Sequence, residues 1–449
     1  MNNNISTNVR AASGCFRSLS GRRIPLLLTA MAAGLLLALP ASGDGLGAGD
    51  LEATERQLDA MEHMLQEQRR EIEMLKREQV SQREEQTALR AVAERTPDRA
   101  IQSGSDTVEL SISGQINRGL MVVDDGDDTD VFNIDNNASS SRIRAIGEVR
   151  PEPGVLIGSA LEVEFRLNNS FTVSQLDRRS TDTSAFRHRR LEVYAEEERL
   201  GRVWLGMGWT ATEFVSEQDL SGTAIAGYSD LRVMGGGMFF RDSDTGELSD
   251  IRMNQVTDNM DGFGRDTRIR YDTPRFRGLQ LRTSVVNDGA VDVALNYSGK
   301  WGPANVAASV GWADFGELNL GEATFDDLIA GSASVLLVDG PLRGLNASFS
   351  AGRKDRIGEG RDPESRYVKL GYQADFFRSG KTALSVDFQE TDDLRQSGDD
   401  FRAYGFQVAH TIEKWGTDLY LNVRNHEFDR AGRNFDDLTI GMVGARVVF

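Results

Sequence analysis

The chain divides into two regions in which apolar residues recur with different periods. From Leu51 to about Arg95, apolar positions return every seven residues, as at Leu58, Leu65 and Ile72, between Glu, Arg, Lys and Gln. This period predicts a coiled-coil helix. Because a single helix so rich in charge would be marginal in water, we expect it to associate with partner helices. The alternative is a solvated, partly frayed helix, and the number of helices in the coil stays open.

Residues 97–107 contain Pro, Gly and Ser, and they predict a linker. Beyond it the period changes from seven to two, as Val108, Leu110 and Ile112 alternate with polar residues. Such alternation marks strands with one apolar and one wet face. It predicts sixteen strands, near residues 108–123, 140–149, 155–168, 186–197, 201–209, 264–273, 278–287, 290–299, 303–313, 327–338, 343–353, 365–377, 381–390, 401–412, 415–426 and 436–449.

The connections between these strands alternate between tight turns, such as 150–154, and long acidic segments, with a short joint at 287–289 as the exception. Short turns on one side, long loops on the other and an even strand number are typical of outer-membrane barrels. We therefore predict an all-β fold, a 16-stranded antiparallel transmembrane β-barrel over residues 108–449. An N-terminal α-helical coiled coil over residues 44–96 precedes it and would hang in the periplasm. A soluble sandwich or propeller is disfavoured, because its outward positions would be polar.

Composition and the first residues agree with export. The chain is 39% hydrophobic and 27% charged, which suits strands that alternate apolar and polar residues. Four Arg precede an apolar run from Ile24 to Leu39 and a small-residue site at Ala41-Ser42-Gly43, so residues 1–43 are predicted to be a cleaved signal peptide. A retained anchor is the alternative, but the run is short of the ~20 residues that span a bilayer.

Charge and the scarcity of reactive residues exclude several functions. Removing residues 1–43 takes away four Arg and no acid, so the formal charge of −18 becomes −22, and nucleic acid is an unexpected partner. Four His are scattered, and no HExxH, CxxC or GxSxG motif occurs. We therefore expect no enzyme, no cofactor and no metal. A hydrolase would need a Ser within reach of a His such as His188 or His426.

An acidic run, Asp124 to Asp130, lies in the predicted first outer loop and is similar to half a calcium loop. It lacks the bidentate Glu at the twelfth position. A solvated loop is the favoured interpretation, and divalent ions bridging it to lipopolysaccharide phosphate are the alternative.

Three segments carry a resemblance to the Gram-negative trimeric porins. Residues 136–143, NNASSSRI, resemble the signature that opens the second porin strand, and residues 201–208, GRVWLGMG, resemble the fifth. Residues 441–449 resemble the last strand with its terminal aromatic, Phe449, which the barrel-assembly machinery recognises. The preceding coil is similar to that of the DcaP-like porins. The resemblance implies a homotrimer in the outer membrane, in contact with lipid and lipopolysaccharide, and a third loop, about 210–262, folded into the pore.

Strand parity predicts which charged side chains line the lumen. The inward positions of the second to seventh strands carry Arg142, Arg144, Glu162, Glu164, Arg166, Arg190, Arg202, Arg268, Arg270 and Arg282. The resemblance implies that Glu213, Glu217 and Asp219 of the third loop lie opposite them. Such an arrangement would create a transverse field that favours anions on the Arg side. The alternative is that Arg and Glu simply pair across neighbouring strands.

The remaining strands offer a milder inward face of Asn, Gln and Ser, including Gln389 and Asn422, interpreted as generic polar lining. The predicted function is an outer-membrane porin for passive diffusion of small hydrophilic solutes, with anions among the candidates. The alternative is a structural envelope tether or adhesin that uses the coil and outer loops. The sequence leaves the solute and the choice between anions and cations open.

Overall fold

The computed structural model describes residues 107–179, 181–316 and 325–449. The predicted signal peptide, the coiled coil and all but the last residue of the linker lie outside the described residues. No helix within those three ranges is long and apolar enough to cross a membrane.

Nineteen strands account for most of the described chain. In chain order they are β1 (Glu109–Asp124), β2 (Thr129–Asp135), β3 (Arg142–Val149), β4 (Val155–Leu167), β5 (Thr181–Glu197), β6 (Gly201–Trp209), β7 (Phe239–Arg241), β8 (Leu248–Arg252), β9 (Arg265–Asp272), β10 (Leu279–Val286), β11 (Val291–Trp301), β12 (Ala304–Asp314), β13 (Phe325–Leu337), β14 (Leu345–Arg356), β15 (Glu364–Phe377), β16 (Gly380–Asp392), β17 (Asp399–Ile412), β18 (Thr417–Arg430) and β19 (Leu438–Val448). A single-turn helix, α1 (Met253–Val256), follows β8.

Seventeen of these strands form one antiparallel sheet that closes on itself. β2 and β3 both pair with β1, one beside each half of it, so they occupy a single strand position. β19 pairs with β1, and Phe449 and Gly114 exchange backbone hydrogen bonds of 2.7 and 3.0 Å. The described chain is therefore a closed 16-stranded antiparallel barrel, and the predicted strand number is confirmed.

The barrel carries its apolar residues on the outside. Along β6, Val203 and Leu205 are exposed on the outer face, whereas Arg202 and Trp204 point inward. The same alternation recurs on nearly every strand and leaves a belt of exposed Leu, Ile, Val and Phe. An apolar surface of this extent is stable only against lipid or another protein.

The first predicted outer loop is shorter than the sequence suggested. Residues 125–128 form the turn, and Thr129–Asp135 is the strand β2. The prediction of a loop here was wrong because acids masked a short alternation: Phe132 and Ile134 are buried inside the barrel while Val131 is exposed outside. The second strand position then breaks at Asn137–Ser139, a 3-10 turn capped by Asn136.

Residues 210–264, which we call the inner segment, fold into the barrel between β6 and β9. They contain the hairpin β7–β8 and α1, neither of which was predicted. Apolar residues of the inner segment pack against inward side chains of β1, β2 and β19, such as Met121, Ile134 and Ile440. These inward positions were expected to be wet. They are apolar because they face protein instead of water.

Candidate functional site

The inner segment is attached to the inside of strands β10 to β13 through its backbone. The N–H groups of Ala211, Gln218 and Leu220 donate to the hydroxyl groups of Ser284, Ser332 and Ser334 over 3.0, 3.0 and 2.9 Å. A backbone without its own secondary structure must find partners for its polar groups when it is buried. The inward serines of the barrel supply them.

Lys369 of β15 holds the middle of the inner segment. Its side chain is fully buried, and its Nζ donates to Asp219 Oδ2 over 2.7 Å and to the carbonyl oxygen of Gly227 over 2.7 Å. A third bond of 3.2 Å reaches Thr223 Oγ1. Asp219 was expected to face the arginines, but its carboxylate is bound to the opposite wall by this lysine.

Two of the residues interpreted as generic polar lining on later strands also hold the inner segment. Asn422 Nδ2 donates to the carbonyl of Ala226 over 2.8 Å, and Gln389 Nε2 donates to that of Asp258 over 3.2 Å. Because the inner segment covers much of the inside of these strands, the open space lies mainly between it and the strands β3 to β6, β9 and β10. This space also reaches Lys354 of β14, Asp418 of β18 and Arg446 of β19.

A first cavity, of about 710 Å³, separates that wall from the inner segment. The wall contributes Arg142, Glu164 and Arg166, and the inner segment contributes Glu213, Glu217 and Asp219. Five arginines that were not predicted line it as well: Arg187, Arg189 and Arg265 on the wall, Arg232 of the inner segment and Arg446 of β19.

A second cavity, of about 810 Å³, lies toward the end of the barrel that carries the short turns. Its lining includes the six remaining predicted arginines, Arg144, Arg190, Arg202, Arg268, Arg270 and Arg282. Trp209 and Phe214 line both cavities and so mark the boundary between them.

Carboxylates on the wall of the first cavity are each shared between several arginines. The buried Glu162 accepts from Arg144 Nε over 2.5 Å and from Arg189 Nε over 2.6 Å, with Arg142 Nη1 at 3.6 Å. Glu164 accepts from Arg189 Nη1 over 2.5 Å and from Arg166 Nε over 2.8 Å. Pairing across strands therefore occurs, but guanidinium groups outnumber the carboxylates.

The wall of the second cavity repeats this pattern. Glu192 accepts from Arg190 Nε over 2.5 Å and from Arg268 Nη2 over 2.5 Å. Arg282 of this cavity and Arg187 of the first have no carboxylate within 4.0 Å in the described ranges. The wall as a whole therefore carries an excess of positive charge.

The inner segment presents acids toward this wall. Glu213 Oε1 lies 3.3 Å from Arg265 Nη2, and the Asp261 carboxylate accepts from the backbone N–H groups of Phe214 and Ser216 over 2.8 and 2.9 Å. Burial, together with the Asp261 and Glu213 carboxylates, raises the pKa of Glu217 well above its usual value. Burial and Glu213 likewise raise the pKa of Asp261. These groups therefore oppose the arginines with less negative charge than their number suggests.

Sequence parity missed Arg187 and Arg189 because β5 contains a β-bulge. Glu162 pairs with Arg190 and Val163 with His188, so Arg189 is an extra residue. The extra residue reverses the parity before it, which turns Arg187 inward and exposes Phe186 outside. A single β-bulge cannot be recognised from the sequence here, because the adjacent Arg189 and Arg190 already interrupt the alternation of apolar and polar residues.

Arg265 and Trp209 were missed for another reason. They pair with each other at the ends of β9 and β6, where the chain enters and leaves the inner segment. Parity no longer fixes the direction of a side chain at a strand end. The Arg265 guanidinium lies 5.7 Å from the Trp209 ring centre, and this cation–π contact is a signal that only the fold reveals.

The acidic run is solvated only in part, because its second residue is buried. Asp125 is buried, and its two oxygens accept from Arg241 Nε and Nη2 over 3.1 and 2.9 Å. Although burial opposes it, these hydrogen bonds leave the pKa of Asp125 below the usual value. The run thus fastens the hairpin β7–β8 beneath the first outer turn.

The three histidines of the described residues do not line either cavity. His188 is exposed, and His426 is buried with Nδ1 3.0 Å from the carbonyl of Leu438. His410 Nε2 lies 3.0 Å from Ser379 Oγ, but its Nδ1 faces Thr382 Oγ1 at 2.9 Å, and no carboxylate of the described residues orients the ring.

A comparison with protein families matches residues 88–431 to the Gram-negative porins. The chain belongs to the Gram-negative porin family. This porin is similar in fold to an anion-selective porin from Comamonas acidovorans, at 19% identity and a TM-score of 0.51, over 76% of this chain and 100% of that one. The trimer form of OmpT, an outer membrane protein of Vibrio cholerae, matches at 11% identity and a TM-score of 0.50, over 77% and 100%. No curated protein matched the porin. The family makes it an outer-membrane channel.

Proposed function

We propose that this porin lets small hydrophilic solutes diffuse through its lumen and prefers anions. The observation that carries the preference is the excess of guanidinium groups over carboxylates on one wall of both cavities, including Arg187 and Arg282, which have no acid partner in the described ranges. Two unit charges about 5 Å apart in water attract by roughly 0.8 kcal/mol. Several such arginines along one path would favour an anion at every step.

The opposite wall supports the same conclusion. The inner segment has fewer ionised carboxylates near neutral pH than its composition implies, because the pKa values of Glu217 and Asp261 are raised. Asp219 is neutralised by Lys369. The field across the lumen is therefore asymmetric, with a charged basic side and a weakly acidic side. The structural relative from Comamonas acidovorans is itself an anion-selective porin, which agrees with this proposal.

The test is the reversal potential of the purified porin in planar bilayers under a KCl gradient. We expect stepwise conductance and a chloride preference that falls by about fourfold when both Arg187→Gln and Arg282→Gln are introduced. These arginines have no carboxylate partner among the described residues, so their removal leaves no buried acid without a counter-ion.

Arg353→Gln is the matched control, because Arg353 is exposed and pairs with Asp355 and Asp362 outside both cavities. Its reversal potential should equal that of the unchanged protein. Folded protein without conductance contradicts the channel function. A potassium preference in the unchanged protein contradicts the anion preference and would mean that the acidic outer loops dominate.

We also propose that the porin is a homotrimer with its short turns and its N-terminal coil in the periplasm. Three observations support this proposal. They are the seven-residue period of residues 51–95, the resemblance to DcaP-like porins, and Arg118, which lies on the apolar outer face of β1. The OmpT relative was solved in a trimer form. The proposal includes two further contacts. The exposed Phe449 would be the signal for barrel assembly, and lipopolysaccharide would be the lipid partner that contacts the outer belt.

A further inference from the structure

Two arginines and three aromatic rings meet on the wall of the second cavity, and we call them the aromatic–guanidinium track. They are Trp209, Arg190, Trp204, Arg202 and Tyr194 of strands β5 and β6. Arg190 Cζ lies 4.9 Å from the centre of the Trp209 ring and 5.6 Å from that of Trp204. Arg202 Cζ lies 4.8 Å from Trp204 and 5.0 Å from Tyr194. Each guanidinium thus contacts two rings.

The guanidinium groups of the track keep donors free. Arg190 is 6% exposed and uses Nε for Glu192, while its two terminal nitrogens donate to no acceptor within the described ranges. Arg202 gives Nε and Nη2 to Glu196. Arg282, in the same cavity, donates from Nε to Gln280 Oε1 over 3.3 Å and pairs with no acid described here. Free N–H groups of this kind are ready to bind a carboxylate.

Aromatic surface lies directly beside these donors. The Trp204 and Trp209 rings are only partly buried and line the cavity together with Phe214, which packs edge-on against Trp209 at 5.4 Å. A small inorganic anion would use the N–H groups and gain nothing from the rings. A solute with a flat ring and one carboxylate would use both.

We propose that the aromatic–guanidinium track is a binding subsite for aromatic carboxylates on their way through the porin. The ring of the solute lies against Trp204 and Trp209, and its carboxylate accepts from the terminal N–H groups of Arg190 and Arg282. The subsite rests on the proposed diffusion of anions, since its ligand reaches it only through the lumen. Because the cavity extends to the short-turn end of the barrel, where Pro274 and Arg275 line it, a bound solute has a path for release.

The experiment compares two probes of equal charge in planar bilayers. Benzoate or cyclohexanecarboxylate is added on the short-turn side of single channels of the full chain in KCl, and the reduction of the chloride current is measured. We expect half-maximal reduction at a concentration about fivefold lower for benzoate, because only its ring is aromatic. Equal concentrations for the two probes would overturn the proposal.

Three variants connect the effect to the track. Trp204→Leu should make the two probes equal, whereas Trp204→Phe, which retains a ring, should preserve the preference for benzoate. Trp301→Leu is the matched control, since Trp301 is exposed on the outside of the barrel. Among the described aromatic rings it contacts only that of Tyr297. A preference for benzoate that survives Trp204→Leu would mean that the rings merely shield the arginines, and it would refute the subsite.

The chloride reversal potential separates this inference from the proposed function. A channel that prefers chloride but treats the two probes alike refutes the subsite alone. A channel without chloride preference refutes the proposed function first.

Discussion

Lys369 is the residue on which the position of the inner segment depends most directly. It is fully buried and donates to Asp219 and to the Gly227 carbonyl, so its removal leaves the Asp219 carboxylate without its counter-ion and the carbonyl without this donor. We predict that Lys369→Met lowers the free energy of unfolding by about 3–5 kcal/mol, the usual cost of breaking a buried ion pair from one side. Urea unfolding in detergent micelles, followed by tryptophan fluorescence, measures it. Single channels should also become noisier.

The double variant Lys369→Met with Asp219→Asn is the control. The amide that replaces the carboxylate at position 219 carries no charge, and its oxygen can still accept from the N–H of Ser221, as the Asp219 carboxylate does. Part of the lost stability should return. If Lys369→Met alone unfolds at the same urea concentration as the unchanged porin, the inner segment is held mainly by its other hydrogen bonds.

The raised pKa of Glu217 makes a second prediction at the scale of single residues. Below the raised pKa the side chain is neutral, and above it the side chain adds a negative charge opposite the arginines. Anion preference should therefore fall as pH rises beyond the ordinary carboxyl range. Reversal potentials at several pH values measure the change. Glu217→Gln should weaken the dependence, the remainder coming from Asp261, whereas Glu359→Gln, in an exposed outer loop, should leave it unchanged.

At the scale of elements, β19 illustrates how closely side chains are fitted inside the barrel. A Cβ on Gly444 would overlap Tyr420 Oη, which donates to Asn117 Oδ1 over 2.8 Å. We predict that Gly444→Ala displaces Tyr420 and lowers the free energy of unfolding by about 1–3 kcal/mol. Gly441→Ala in the same strand is the control, because no heavy atom of the described residues lies within 4 Å of its added Cβ. Equal urea midpoints for the two variants would contradict the close contact.

The strands were predictable because one physical requirement acts on all of them. A face against lipid must be apolar, so residues such as Val203 and Leu205 recur with period two and show where each strand runs. The requirement loses force where the inside is also apolar, and the short strand β2 was therefore missed. It says nothing about α1 or β7–β8, which face only protein.

The residues of the candidate site were likewise predictable only where the strands are regular. Parity identified Arg142, Arg144 and Arg166 as inward residues because their strands are regular at those positions. It failed at Arg187 and Arg189, where a single bulge shifts the register. The pairing of Asp219 with Lys369 joins residues 150 positions apart, and no local pattern relates them.

At the scale of the whole molecule, the barrel interior is divided between packing and passage. The inner segment covers much of the side bounded by β11 to β19, where inward serines, amides and Lys369 satisfy its backbone. The opposite side keeps its arginines and the two cavities. A formal charge of −18 for the whole chain therefore coexists with a basic path, because many acids of the described residues are held in ion pairs.

A charged side chain within the apolar belt on the outside of the barrel bears on assembly. Arg118 lies on the outer face of β1 between the exposed Ile116 and Leu120, and it donates to the Leu167 carbonyl over 2.9 Å and to Asn133 Oδ1 over 2.5 Å. An Arg that faces lipid near the middle of a bilayer costs about 2–4 kcal/mol. Another copy of the chain, seated on this face, would replace lipid with polar partners.

We therefore predict that Arg118→Leu weakens the trimer, as measured by the mass of the detergent-solubilised complex during dilution. Thr283→Leu is the control, because Thr283 is a polar residue exposed on the outer face of β10, away from β1. If Arg118 faces lipid instead, its replacement by Leu removes an unfavourable charge, and the free energy of unfolding should rise by about 2–4 kcal/mol with the assembly unchanged. The two outcomes have opposite signs, so one variant decides whether β1 lies against a second subunit or against the membrane.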